Sequence, residues 1–337
     1  MSTSAIDRGK ANVERKVRVV SSLRESSILV ALVLLVAVVT AIQPRFLSFE
    51  NITQILLSVS IAVILVSAQT LVIITGNIDL SVGSIVGVSA LVAADLLAHG
   101  VTIPIAIILA ILCGAVGGAL NGLLVSYLRV PSIVATLGTL AIFRGVAFLI
   151  AQGRQLSASD VPTTYLQLTA GSVFGVPYLL IYAAVVAAVL SIVLRTTLTG
   201  RRVYAIGSRP ATADEVGIPR KRILFWVYVI AGLLAGIGGV LWGSRFATVD
   251  ANAASGIELG IVAAAVVGGV NIFGGSGTIL GAALGALLLG TINNALAVLN
   301  LDQNWLQAIQ GFVILVAVIA DARIKASLAR ILNTSGR

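Results

Sequence analysis

Long apolar runs alternate with short polar breaks along this chain. The clearest runs are Ile28–Ile42, Ile61–Thr75, Ile103–Val125, Leu179–Leu194, Ile223–Leu241, Thr278–Leu299 and Ala308–Ala320. Each is near the length an apolar helix needs to cross a hydrocarbon core about 30 Å thick. The pattern divides most consistently into spans near 28–43, 53–75, 82–98, 102–126, 132–151, 177–194, 223–243, 259–270, 278–299 and 306–321. The eighth is short and rich in Gly and Ala, so a broken or re-entrant segment is expected there, its backbone shielded by protein rather than lipid. The expected fold class is all-α, a polytopic membrane protein of about ten transmembrane helices.

Composition agrees with the pattern. The 337 residues are 58% hydrophobic and 10% charged, and the mean hydropathy is +1.07. A soluble chain of this length could not cover its surface with so few charges. No polar stretch is long enough for a second soluble domain. The division is a tail over 1–27, a membrane domain over 28–322 that includes a basic loop over 195–222, and a tail over 323–337. The first run follows a long basic region and precedes many others, so it reads as an uncleaved membrane helix rather than a signal sequence.

Charge orients the spans. The net charge is +9, from 22 Lys and Arg against 13 Asp and Glu. Arg8, Lys10, Arg15, Lys16, Arg18 and Arg24 precede the first span. Arg129 follows the fourth, and Arg195, Arg201, Arg202, Arg209, Arg220, Lys221 and Arg222 precede the seventh. Arg323, Lys325, Arg330 and Arg337 close the chain. A ten-span division puts all of these on one side and leaves Arg45, Arg154 and Arg245 on the other. The excess of Lys and Arg on cytoplasmic loops then places both termini and the 195–222 loop in the cytoplasm. Basic residues confined to loops and tails are topology signals, and nucleic acid is not an expected partner.

Catalytic and metal chemistry have little material. Cys113 is the one cysteine and His99 the one histidine, which excludes an intrachain disulfide, a multi-cysteine metal site and a histidine cluster. No metal ligand set and no catalytic residue is assigned. Glycines at close intervals, Gly114, Gly117, Gly118 and Gly122 in one span, Gly232, Gly236 and Gly239 in another, and Gly281, Gly285 and Gly290 in a third, suit tight helix packing in lipid.

The polar residues near the spans carry the remaining functional information. Two breaks are worded alike: Gly76 to Ser84, and Gly268 to Gly277, each before a glycine-rich helix. A weak internal repeat and chance similarity between Gly/Ser turns both account for them. Asp79 sits between Ile78 and Leu80 at a membrane boundary and reads as a helix cap with Ser81. Gating, substrate passage and proton coupling are its alternatives, and Asn77 and Ser81 share them. Asn121, Asn293 and Asn294 occur in apolar helices, where interhelical hydrogen bonding and pathway lining are the two readings. Arg144 falls inside a span and calls for a carboxylate or an interface. Asp250 and Glu258 face the side opposite the basic loops, available to Arg245 or to an external partner. Within the basic loop a short helix is expected over Ala211–Val216, stopped by Gly217 and Pro219.

The wording of the whole chain resembles the permease subunit of bacterial ABC-type monosaccharide importers, the ribose, xylose, arabinose and rhamnose group, with the related autoinducer-2 importer permeases. The resemblance rests on Gly76 through Ser84, where Asn77 replaces a usual glycine, and on Val130-Pro131-Ser132-Ile133-Val134-Ala135-Thr136-Leu137-Gly138-Thr139. It also rests on Gly200 through Gly207, Ala213 through Gly217, and Gly256 through Gly277. It covers roughly residues 28–322 and leaves the tails out. It implies a non-catalytic subunit of the bacterial inner membrane that passes a monosaccharide. An autoinducer-2 permease of the same family and an ion-coupled secondary transporter are the alternatives. It further implies that Ala213, Asp214, Glu215 and Gly217 meet a cytoplasmic ATPase, and that Asp250 and Glu258 meet an extracytoplasmic sugar-binding protein. A second permease, identical or homologous, completes the pathway. The chain lacks a Gly-x-x-x-x-Gly-Lys-[Ser/Thr] phosphate loop, so no cofactor is expected on it and ATP and Mg2+ belong to the partner ATPase.

Overall fold

The computed structural model describes residues 28–316 and 319. Both basic tails and the end of the tenth expected span lie outside the described residues. The chain runs as α1 (Ile28–Ile42), a tight turn over Pro44–Leu47, α2 (Phe49–Ile74), α3 (Val82–Ala98), α4 (Ile103–Gly122) and α5 (Ser132–Ala151). A wide turn over Leu123–Tyr127 extends α4. Next come α6 (Thr163–Ala170), the hairpin of β1 (Ser172–Val173) and β2 (Val176–Pro177), and α7 (Tyr178–Thr196). α8 (Leu198–Ser208) and α9 (Pro210–Glu215) lead into α10 (Arg220–Phe246). α11 (Ile257–Val267), α12 (Ile279–Val298) and α13 (Asn304–Val316) complete it.

The molecule is an all-α, multi-pass membrane protein, apart from the two-residue strands. By length and apolarity, six helices among the described residues are able to cross a membrane: α2, α4 with its extension, α5, α7, α10 and α12. These six stand at six of the ten expected spans. α1, α3, α11 and α13 are apolar but shorter, and α11 has 11 residues. At 1.5 Å per residue such a helix covers about half of the hydrocarbon core. Backbone outside the helices must therefore lie at membrane depth, where only protein can satisfy it.

Burial sorts the helices into core and rim. The most apolar window is 78% buried in α2 and 67% in α10, but 22% in α5 and 17% in α7. On the outer helices, residues such as Leu109, Leu112, Val116, Val185, Val189 and Ile192 are exposed, as lipid contact requires. Glycine permits the central contact between α4 and α10. A methyl group on Gly114 would stand 2.6 Å from the Gly236 Cα, and one on Gly118 would stand 2.9 Å from the Gly232 Cα. Backbones approach this closely only where side chains are absent, and in lipid such contact supplies much of the association.

One end of the bundle gathers the turns over 75–81, 123–131 and 268–278 together with α8 and α9, and carries most of the basic residues described. The other end gathers the turns over 43–48, 99–102 and 299–303 with the longer segments 152–177 and 247–256. There Leu156 and Val249 exchange backbone hydrogen bonds of 2.9 and 2.8 Å. The Tyr165 hydroxyl of α6 donates to the Val240 carbonyl at 2.8 Å and fixes α6 on the end of α10.

Three elements are additional to those expected: α6, the small hairpin and α8. The expected helix over Ala211–Val216 is present as α9, displaced by one residue, with Val216 as its C-cap.

Candidate functional site

Two sequence-distant signatures meet at the basic end. The segment between α2 and α3 crosses the first turns of α5, where the Ile78 N–H donates to Ser132 Oγ at 3.3 Å and the Leu80 N–H donates to Thr136 Oγ1 at 3.1 Å. At its centre the Asp79 carboxylate accepts from the Ser81 backbone N–H at 2.8 Å and from the Ser81 hydroxyl at 2.6 Å. Asn121 of α4 donates to Ser81 Oγ at 2.7 Å and to the other Asp79 oxygen at 3.4 Å. The Asn121 carbonyl accepts from the Thr139 hydroxyl of α5 at 2.6 Å. Gln69 of α2, with its amide nitrogen toward the Asp79 carbonyl, spans the Asp79 backbone at 3.2 and 3.1 Å.

This network ties α2, α3, α4 and α5 together with almost no solvent contact. Asp79 is 2% exposed, and Ser81 and Asn121 are fully buried. Burial pushes the Asp79 carboxyl above the ordinary carboxylate range, opposed by the hydrogen bonds from Ser81 and Asn121. The expected cap is not formed: Asp79 accepts the N–H of Ser81, the residue before α3, and among the described residues no side chain bonds the free N–H groups of the helix itself. Asn77 stands apart, half-buried, with its amide donating to Thr75. It reaches the rim of a cleft of about 790 Å³ that Arg129, Arg220, Lys221, Arg222 and Asp214 also line.

Next to this network, α8 is clasped to the membrane helices. Thr197 accepts from the Gly200 N–H at 3.0 Å and starts the helix. The Tyr204 hydroxyl donates to the Gly277 carbonyl at 2.8 Å. Burial raises the Tyr204 phenol from its usual range, so it keeps its proton as a donor at neutral pH. Gly207 lies against the Ile74 carbonyl and the Gly275 nitrogen, which itself donates to Ile74 at 2.8 Å. A methyl group on Gly207 would stand 2.7 Å from that nitrogen. The breaks after α2 and after α11, similar in wording, thus meet beneath α8.

From this clasp α9 projects outward. Ala213 is buried beneath it, whereas Asp214, Glu215, Val216 and Gly217 are exposed. The backbone closes as a C-terminal cap, with the Gly217 N–H donating to Asp214 at 3.1 Å, the Ile218 N–H donating to Ala213 at 3.0 Å, and Gly217 at φ +75°. Asp214 pairs with Arg220 at 3.8 Å.

The remaining candidates separate. Asn294 exchanges two 3.0 Å hydrogen bonds with Asn51 of α2, while its neighbour Asn293 is exposed and lines a cavity at the opposite end. Glu258 is buried at the start of α11, near Arg144, and Asp250 is only part-buried. Arg144 donates to the Ala251 and Ala253 carbonyls at 2.8 and 2.9 Å and so pins the 247–256 segment onto α5. Gln69 was not singled out from the sequence, whereas Thr139, Tyr204 and Gly207 entered only as members of the segments 130–139 and 200–207. The similar wording of Gly76–Ser84 and Gly268–Gly277 was the sequence signal nearest to the clasp. The described residues contain no group of His, Cys, Asp and Glu able to hold a metal.

Comparison with known proteins follows the same boundaries. A family profile described as the permease component of a branched-chain amino acid transport system matches residues 51–318. Over 307 residues the chain is 36% identical to the autoinducer 2 import system permease protein LsrC of Enterobacter sp. (strain 638), covering 91% of this chain and 89% of that protein. The protein of the same name from Escherichia coli (strain K12 / DH10B) is 34% identical over 307 residues, with the same coverage. That from Photorhabdus luminescens is 32% identical over 314 residues, 93% of this chain and 94% of its own length. No solved structure matches the chain.

Proposed function

This chain belongs to the family of branched-chain amino acid transport system permease components, and on that premise we propose that the solute it passes is autoinducer-2. It is a membrane permease subunit of an ABC-type importer of the sugar and autoinducer-2 class, without catalysis of its own. Similarity to permeases named for autoinducer 2 along nearly the whole chain moves the solute from the expected monosaccharide to autoinducer-2.

The observation that carries the mechanism is the α8–α9 unit. Its inner face is fastened to α2 and to the 268–278 segment through Gly207 and Tyr204, while Asp214, Glu215 and Val216 face outward. In this reading α9 seats in a cytoplasmic ATPase that uses ATP and Mg2+. Closure of the ATPase pair moves α8, and the contact with Ile74 and Gly275 passes the movement to α2 and α12. The buried Asp79–Ser81–Asn121–Thr139 network keeps α3, α4 and α5 moving as one body. The basic end then lies in the cytoplasm, and ten crossings with both termini inside satisfy the distribution of Lys and Arg. An extracytoplasmic binding protein docks on the opposite end, where Asp250 is the accessible carboxylate of the two candidates. A second permease completes the pathway.

The test is uptake into proteoliposomes holding the purified chain with its cognate ATPase and binding protein. Autoinducer-2 uptake is expected to require ATP and to exceed ribose uptake. Uptake that persists without ATP and follows an ion gradient would contradict the reading.

A further inference from the structure

At the end opposite the basic loops, a cavity of about 460 Å³ opens between α2, α11, α12 and α13, a volume in the range of small-molecule sites. Its polar wall includes Ser58 of α2, Asn293 of α12, Gln303 just before α13, and Gln307 and Gln310 of α13, with Ser255 and Asn304 beside them. No charged side chain lines it. Ser58 and Gln307 are exposed, as is Asn293, and none of these three, nor Gln310, has a side-chain hydrogen-bond partner among the described residues. The contrast with Asn294 is informative. One step along α12, that amide is fully engaged with Asn51.

An unpaired amide facing acyl chains would lose its hydrogen bonds to water with nothing in return. Several of them on one concave face therefore exclude lipid as the neighbour. Glycine keeps the cavity open: Gly260 of α11 lies under the Gln310 amide, and a methyl group there would stand 2.9 Å from its nitrogen. Amides both donate and accept, and a wall of amides without charge matches a solute that carries hydroxyl or carbonyl oxygens and no net charge.

We propose that this cavity is a solute-binding station of the pathway, in which Asn293, Gln307 and Gln310 hydrogen-bond a neutral polyhydroxylated molecule. The ligand class rests on the importer reading above, whereas the water-filled character of the face does not. The experiment uses the complete importer in proteoliposomes. In a Cys113→Ser chain, Asn293→Cys is treated with a charged, water-soluble methanethiosulfonate. Separately, Gln307→Leu and Gln310→Leu are assayed for autoinducer-2 and ribose uptake at equal amounts of assembled complex.

The thiol at position 293 should react, react more slowly in the presence of autoinducer-2, and block uptake once modified. Each leucine variant should lower uptake about tenfold or more by raising the half-saturating concentration. A thiol inert to the charged reagent, but reactive toward a lipid-soluble maleimide, places the face against lipid or a second copy and overturns the proposal. So do leucine variants that transport at the unaltered rate. Because labelling requires no substrate, it decides whether the face meets water even if the unaltered importer carries neither probe, in which case the solute reading fails separately.

Discussion

Asp79 and Asn293 are both polar residues in apolar surroundings, yet their situations are opposite. Asp79 is enclosed by donors from Ser81 and Asn121, which leaves it almost without solvent contact. Removing one acceptor from such a network leaves buried donors unsatisfied, at a cost of about 1–3 kcal/mol. Asp79→Asn is therefore expected to lower the thermal midpoint of the purified permease, and Asn121→Leu to do so further because it abandons Ser81 and Thr139 together. Uptake per folded transporter should keep its pH profile in Asp79→Asn, and a displaced profile would instead assign Asp79 a proton-carrying role. The sequence identified these residues as exceptional but could not sort them. Asn293 and Asn294 are adjacent, and one residue is about 100° of helix rotation, which is the difference between a paired amide and one lining a cavity. The sequence alone does not say which way a helix is turned. Asn51, the partner of Asn294, looks like an ordinary residue in the first turn of α2.

At the scale of elements, α8 was the least legible part of the basic loop. Gly200 and Gly207 lower its helix propensity, and its charged residues suggest a solvated connector. The glycines are explained by packing. Gly200 sits against the last carbonyls of α7, and Gly207 sits against α2 and the 268–278 segment. α9 was readable because its stop is local: Gly217 at φ +75° and Pro219 after it. These two glycines predict different outcomes. Gly207→Val places a side chain where Ile74 and Gly275 already are, so it should separate ATP hydrolysis from uptake, measured as the ratio of solute imported to ATP consumed. Nothing lies within 4 Å of a methyl group added at Gly217, so Gly217→Ala acts only through its left-handed backbone, at about 1–2 kcal/mol. It should reduce ATPase binding modestly, with Glu215→Lys reducing it more, while both proteins insert into the membrane at normal levels. If Gly207→Val imports as much solute per ATP as the unaltered chain, the clasp does not transmit the movement.

For the whole molecule, the open quantity is how many times the chain crosses the bilayer. Apolar runs and the positions of Lys and Arg recovered the helices and their alternation. They also marked α11 as short and came within a few residues of α1 and α3, but hydropathy does not distinguish a full crossing from a short helix continued by shielded loops. α11 is the critical case. Its 11 residues reach about 16 Å, and the remaining depth falls to 247–256 and 268–278. The first of these is held by Arg144 through the Ala251 and Ala253 carbonyls, and the second by Ile74 and Tyr204. These contacts are what backbone at membrane depth requires in a crossing or a re-entrant segment alike, and the placement of 247–256 and 268–278 at opposite ends of the bundle is what favours a crossing. In a Cys113→Ser chain, single cysteines replacing Arg45, His99, Ala158, Asn252 and Asp302 should react with an impermeant maleimide added to intact spheroplasts. Cysteines replacing Arg129, Val216 and Ser276 should react only after permeabilisation. The pair around α11 decides whether that helix crosses. If Asn252→Cys and Ser276→Cys label from the same side, α11 turns back within the bilayer. The helices after it would then reverse, and the contact of the 268–278 segment with α8 could not lie on the cytoplasmic face. Opposite labelling makes α11 a crossing and puts the clasp beneath α8 where an ATPase can pull on it.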